Sequence, residues 1–277
     1  MILRRIVMCM LWGSIAFADM DVINGTTAIV TFDANTTLAL KQGEKILPLV
    51  NHPTDETKRI AVIPIPYRQT DSIDLLHVGT SKTQTIRLHV RQGAYLKERL
   101  TVESKKVHPP KSVQERIAKE YQEAIAIYQT YSSSRYWADP FVLPMESAIT
   151  SAFGTARLFN ESLKSFHSGT DFRAAVGSNV HAVNDGIVVL AKERYYAGGS
   201  VLIDHGEGVY SCYYHLSSMI VNVGQKVRQG EIIGASGQSG RVTGPHLHLA
   251  FMVQGVQVDP LDFMEKVNRL FGNKGVQ

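Results

Sequence analysis

Cysteine is scarce in this 277-residue chain: there are two, Cys9 and Cys212, alongside two tryptophans and an aromatic fraction of only 8%. Cys9 lies in an N-terminal segment expected to be removed, and Cys212 alone cannot form an internal disulfide. Basic residues are not clustered. The 29 Lys and Arg are spread against 25 Asp and Glu, which excludes the basic face expected of a nucleic-acid binder. After the first 18 residues, no apolar run approaches the roughly 20 residues needed for a membrane-spanning helix. Three catalytic signatures are also missing. There is no Gly-Lys-Ser/Thr phosphate loop and no His-Glu-x-x-His zincin motif. Gly234-Ala235-Ser236-Gly237-Gln238 narrowly misses the Gly-x-Ser-x-Gly nucleophile elbow. What remains is ordinary globular composition, 44% hydrophobic and 19% charged.

The first residues carry an address. Arg4 and Arg5 precede an apolar stretch from Ile6 to Phe17, and Ala16-Phe17-Ala18 has the small-x-small pattern of a cleavage site. Residues 1–18 therefore read as a secretory signal peptide, cleaved after Ala18. Its loss lowers the formal net charge from +4 to +2. Cys9 leaves with it, and Met8 before it is not small, which argues against lipidation there.

The remainder is predicted to be mainly β. Residues 19–107 form a β-rich leading domain, read as a small antiparallel sandwich. Its strands are expected at Ala28–Phe32, Arg59–Ile65, Gln84–Val90 and Tyr95–Val102. Pro64 and Pro66 confine their strand to an edge or a short segment. Residues 108–144 form a helical spacer and linker. His108-Pro109-Pro110 stops the first domain, and Ser112 with Glu115 has the spacing of a capping box. Ile117, Tyr121, Ala124 and Tyr128 recur at helical spacing and predict one buried face. Residues 145–262 return to Gly-rich β patterns and predict a barrel or folded-over sheet. Residues 263–277 are a C-terminal helix and tail, with the helix from about Leu261 to Leu270 read as a minor appendage.

The chemistry is concentrated in that third segment. His167 and Asp171 lie in His-Ser-Gly-Thr-Asp, His215 in Tyr-Tyr-His-Leu, and His246 and His248 in Gly-Pro-His-Leu-His-Leu. On a strand, His246 and His248 share a face, and Gly169 lets the chain turn between His167 and Asp171. Two imidazoles and one carboxylate suit a catalytic zinc ion, because they leave a position for water whose pKa the metal lowers to about 7. Spare histidines beside that water can relay its proton. Outside these motifs, His205 and His181 read as structural. Cys212, three residues from His215, should face the opposite side of a continuous strand as a packing residue.

In order and spacing, these motifs resemble the lysostaphin/LytM-type zinc peptidases of the bacterial cell wall. The resemblance covers about residues 145–262 and is most specific at 168–172 and 240–248. It implies one zinc ion bound by His167, Asp171 and His248, with His246 as general base. His215 would orient the water or stabilise the tetrahedral intermediate. It also implies a compact antiparallel β fold with the metal at the floor of a groove. Arg157 and Asn160 fall where the family shapes substrate entry, with Arg157 a candidate partner for a stem-peptide carboxylate. Tyr195 and Tyr196 are candidates to line the same groove.

The implied activity is hydrolysis of peptide cross-links in peptidoglycan. The expected form is a D,D-endopeptidase cutting between D-Ala and meso-diaminopimelate, with D,D-carboxypeptidase trimming beside it. The alternative is a non-catalytic LytM-like protein that binds and activates other wall hydrolases; such relatives lack ligands, and none is missing here. Export, a β-rich leading domain and the absence of a Gram-positive wall-anchoring module point to a Gram-negative periplasm. The expected partners are stem peptides, with room for a regulatory protein. The leading domain would either cover the groove or dock to a partner or the wall.

Overall fold

The computed structural model of the chain describes residues 19–100, 109–159 and 163–275. The expected signal peptide and Asn160 lie outside the described residues. Among those described, no helix is long and apolar enough to cross a membrane.

Two small sheets build the leading unit. One runs in the order Met20–Ile23, Thr83–Arg91, Ile73–Gly79, Thr37–Gln42, Lys45–Leu47, and the other sets Lys58–Pro64 between Thr27–Asp33 and Val50–Asn51. Alternation explains the packing. Along Thr83–Arg91, Ile86 and Leu88 are buried while Thr85 and Arg87 face solvent. They join Val30, Phe32, Leu40, Ile63 and Leu75 in one apolar layer. The strand ending in Pro64 is central rather than at an edge. The conflict is avoided because Val50–Asn51 pairs only with Ile60 and Arg59, so beside Pro64 one side of the strand stays open.

The segment expected at Tyr95–Val102 is a strand at Lys97–Leu100, but it leaves the sandwich. It pairs in parallel with Ala156–Phe159, which in turn pairs with Leu163–Phe166. Local β-propensity announced the strand and carried no information about its partner.

The spacer helix spans Lys111–Gln129, and the capping box does not form. Its N-cap is Pro110, with no side-chain hydrogen bond, because the two prolines deliver an extended chain into the first turn one residue ahead of the box. Ala124 is buried, and Ile127 and Tyr128 pack against Leu190, Leu202 and Cys212. Tyr121 is 60% exposed. The helix seats its C-terminal half only, so the predicted buried face does not reach that far back.

The main sheet is antiparallel, in the order Ile149–Ser151, Thr170–Arg173, His246–Val253, Val209–Leu216, Gly198–Gly206, Gly186–Arg194, Lys226–Val227. A three-stranded sheet of Asn179–His181, Ile232–Ala235 and Ser218–Met219 adds Val180 and Ile233 to the same core.

The C-terminal helix, Pro260–Asn268, is no appendage. Asp259 caps it by accepting from the Leu261 N–H at 2.9 Å, with Pro260 in the first helical position. Phe263, Met264 and Val267 are buried in the main core, and so are Ile60 and Val62 from the leading unit. On the same helix, Asp262 accepts from the Thr27 N–H at 2.9 Å and Lys266 donates to the Thr27 carbonyl at 2.6 Å. The two units thus share one core and one polar seam. Phe263→Ala should cost about 3–5 kcal/mol and lower a single calorimetric transition. Two transitions, with the leading unit's unaffected, would contradict the shared core.

His205 belongs to this framework. The Val183 N–H and the Ser211 hydroxyl both donate to the Tyr213 hydroxyl, His205 Nε2 lies 2.7 Å from Ser211 Oγ, and His205 Nδ1–H donates to the Asp185 carbonyl. Burial pulls His205 down to about 4 from an ordinary 6.5, partly opposed by the Asp185 bond. With the folded value below the unfolded one, the unfolded chain takes up the proton first as pH falls. Stability should therefore drop between about pH 6.5 and 4, and His205→Gln should flatten that slope in melting curves at pH 7 and 4.5. Equal slopes for both proteins would refute the assignment.

Candidate metal centre and its groove

Sheet register brings the site together. Asp171 lies directly across from His248, and His248 across from Tyr214 on the next strand. His167 precedes the Thr170–Arg173 strand and is fixed by its own backbone: its N–H donates to Thr155, and its carbonyl accepts from Gly154, both at 2.8 Å. Gly169 is required for a different reason from the expected turn. It does not adopt a left-handed conformation; instead a Cβ there would overlap the Leu249 carbonyl and the His248 ring.

Three buried donor atoms converge. His167 Nε2 is 2.9 Å from Asp171 Oδ1 and 3.0 Å from His248 Nδ1, and His248 Nδ1 is 2.8 Å from Asp171 Oδ1. They form the metal-ligating group found among the described residues. The tautomers test whether a cation fits. His167 Nδ1 lies 3.0 Å from the Ala152 carbonyl, which can only accept, so Nδ1 carries the proton and Nε2 presents a lone pair. That lone pair faces a carboxylate oxygen. A proton on His248 Nδ1 leaves this contact unrelieved, whereas a cation between the three atoms satisfies all of them. Donor separations of 2.8–3.0 Å approach the roughly 3.3 Å edge of a tetrahedron with metal–ligand bonds of about 2.0–2.1 Å. The residues fit zinc.

Charge balance follows from burial. Burial would raise the Asp171 carboxyl, but the His167 and His248 rings packed against it outweigh burial and hold it below the ordinary carboxylate range. Burial pulls His248 down to about 4, against the opposing pull of Asp171. It pulls His215 down to about 3, helped by His248 and His246.

The two remaining histidines hang from one loop. His215 has φ +64°, a left-handed conformation rare for a non-glycine residue. It is held by its N–H to the Ala197 carbonyl and its Nδ1–H to the Ser239 carbonyl, both at 2.8 Å. His246 Nδ1–H donates to the Gly244 carbonyl at 2.8 Å, which leaves Nε2 as an acceptor 3.6 Å from Asp171 Oδ1. The rings of His215 and His246 are 4.9 Å apart. Both line a groove of about 600 Å³ that has the three ligand residues in its lining.

The other expected site residues divide. Tyr196 lines the groove. Tyr195 is not among the lining residues; its backbone N–H donates to the Glu120 carboxylate of the spacer helix at 2.8 Å. Arg157 lines the groove, but its guanidinium is committed within the protein: to Glu98 at 2.6 Å, Ser151 at 2.9 Å and Asp171 Oδ2 at 3.4 Å. It therefore braces a ligand carboxylate where a stem-peptide carboxylate was expected. Sequence reading missed Glu98, Ser151, Ser239 and Arg241. Arg241 sat within a stretch already marked as specific; Glu98 left no signal, because only the pairing of Lys97–Leu100 with Ala156–Phe159 brings it here.

Residues 165–260 match peptidase family M23. The peptidoglycan DD-endopeptidase ShyA of Vibrio cholerae is 46% identical over 95 residues, which are 34% of this chain and 22% of that protein. The DD-carboxypeptidase/endopeptidase Mpg of Neisseria meningitidis is 40% identical over 95 residues, again 34% and 22%. The chain thus spans about a fifth of the length of these curated relatives. A crystal structure of an M23 peptidase from Pseudomonas aeruginosa aligns with a TM-score of 0.69 at 25% identity, over 87% of this chain and 94% of that one. The similarity to it therefore extends through the leading unit.

Ligand-orienting partners typically matter 10- to 100-fold in metal affinity. Arg157→Ala should weaken zinc binding by roughly that factor in competition with a chelating dye, and unchanged affinity would show that the bridge to Asp171 is idle. His167, Asp171 and His248 all fall within residues 165–260, the span that matches peptidase family M23.

Proposed function

We propose that this protein is an extracytoplasmic zinc endopeptidase that hydrolyses D,D peptide cross-links in peptidoglycan, between D-Ala and meso-diaminopimelate. The observation that carries the reading is the convergence of His167, Asp171 and His248 on one point beside two further histidines. Zinc held by those three atoms would polarise the scissile carbonyl and bring the pKa of a water toward about 7. The relatives named for DD-endopeptidase activity support the choice of bond. The periplasm is the compartment where such a substrate is met.

The chain's own groups then have distinct tasks. Gly244 fixes the His246 tautomer, so Nε2 is an acceptor at the groove. It takes the proton of the attacking water and returns it to the leaving amine. Ser239 fixes the His215 tautomer in the same sense, and burial keeps that ring neutral. A neutral ring whose Nδ1–H is donated to the Ser239 carbonyl accepts at Nε2; it orients the water and does not donate to the oxyanion. Arg157 holds the second oxygen of Asp171, leaving Oδ1 for the metal.

Purified sacculi incubated with the zinc-loaded protein should lose cross-linked muropeptide dimers. His246→Ala should slow that loss by about 10²- to 10⁴-fold while retaining zinc, and chelation should abolish it. Unchanged dimers with zinc bound would overturn the reading and favour a protein that binds the wall and activates other hydrolases.

A further inference from the structure

The loop that hangs the two histidines carries a third functional group. Ser239 holds His215, Gly244 holds His246, and Arg241 lies between them and lines the groove. Its placement is fixed by packing. The Arg241 N–H donates to the Tyr196 carbonyl at 2.8 Å, and the guanidinium stacks 4.6 Å from the centroid of the Tyr196 ring. Gly240, at φ +80°, permits this contact: a Cβ there would overlap the Tyr196 carbonyl and the Gly198 nitrogen. The cation is therefore pre-positioned at the groove.

Substrate chemistry says what such a cation would meet. In a D-Ala to diaminopimelate cross-link, the scissile nitrogen is bonded to a carbon that bears a free carboxylate. A terminal D-Ala–D-Ala bond has the same arrangement. A glycyl-glycine bridge has a neutral amide at that position. Whatever protonates the leaving nitrogen therefore works one carbon away from a negative charge. Here the proton carrier is His246, and Arg241 shares its loop.

We propose that Arg241, stacked on Tyr196, forms an anion subsite that reads the carboxylate on the leaving-group side of the scissile bond, and so selects D,D bonds over neutral bridges. This rests on the D,D-endopeptidase reading above. Arg157 also lines the groove, but it is set against Glu98, Ser151 and Asp171 rather than on the loop that holds His246. Burial lowers the Arg241 guanidinium from its ordinary value; Tyr196 opposes this and the charge of Arg157 adds to it.

The test compares two peptides on the zinc-loaded full chain: a stem pentapeptide ending in D-Ala–D-Ala, and the same peptide as its C-terminal carboxamide. The wild type should favour the free acid in kcat/KM by roughly 10- to 100-fold, the range of a charge-assisted hydrogen bond. Arg241→Gln should collapse the acid-to-amide ratio toward one, and Arg241→Lys should restore part of it. Zinc content and circular dichroism identify a variant that has merely lost its fold. Wild-type cleavage without preference for the acid, or an equal loss on both peptides in a folded Arg241→Gln protein, would overturn the subsite and leave the D,D reading standing. Wild-type failure on both peptides and on cross-linked dimers would remove that reading, and this inference with it.

Discussion

Everything at this site depends on one register. Asp171 and His248 face each other across the pairing of Thr170–Arg173 with His246–Val253. A slip of one residue along that pair would send one of the two side chains to the opposite face of the sheet. The register is held on both sides: Ile149–Ser151 flanks one strand, Val209–Leu216 the other, and Phe172, Leu247 and Leu249 are fully buried. The apolar core therefore sets the ligand geometry. That framework holds His167 Nε2, Asp171 Oδ1 and His248 Nδ1 2.8–3.0 Å from one another, the convergence a shared cation needs.

The same rigidity explains where unusual backbone occurs. His215 sits at φ +64°, and the loop bearing Ser239, Gly240 and Arg241 packs against the segment 196–199 at points where only glycine fits. Strained conformations persist when their surroundings over-determine them. Here the overdetermination is visible: two carbonyl acceptors hold His215, and the strand opposite it shifts register between Gly199 and Val201. The strain aims an imidazole across a groove that an ordinary strand would turn away from. It also explains why His215 and Cys212 need not follow strict alternation. Cys212 nonetheless ends in the apolar cluster beneath the spacer helix, where burial raises its thiol to about 11.

How much of this was legible depended on how local the determinant was. The motif around His167 and Asp171 and the His246–His248 pair are short patterns, and strand periodicity sufficed to place the latter on one face. The capping box at Ser112 was equally local and misled, because Pro109 and Pro110 set the entry of the chain before a side-chain cap could form. The fate of the last helix was invisible: nothing between Pro260 and Asn268 announces that Asp262 and Lys266 will grip Thr27, over 230 residues earlier. Arg157 was noticed for its neighbourhood, while its partners within the chain gave no sign. Its sequence position shows a cation near the first ligand motif, while its ion pair with Glu98 exists only through a parallel pairing of strands from distant parts of the chain.

That pairing changes what the leading unit is for. A cover that lifts away should meet the peptidase unit through a thin, polar surface. Instead Ile60 and Val62 are embedded in the main core with Trp137 and Phe263, and Gln254 donates to the Val62 carbonyl at 2.8 Å. Separating the units would expose that apolar surface and undo the seam at Thr27. Among the described residues of the leading unit, the strand Lys97–Leu100 reaches the groove and contributes Glu98, which pairs with Arg157, and Arg157 in turn contacts Asp171. With Glu98 in place, the Arg157 guanidinium is held by two acids and a hydroxyl. Without it, the same guanidinium would be drawn more strongly onto Asp171, in competition with the metal for that carboxylate. The leading unit thus meets the site through charge as well as through packing: Glu98 and Asp171 share one guanidinium.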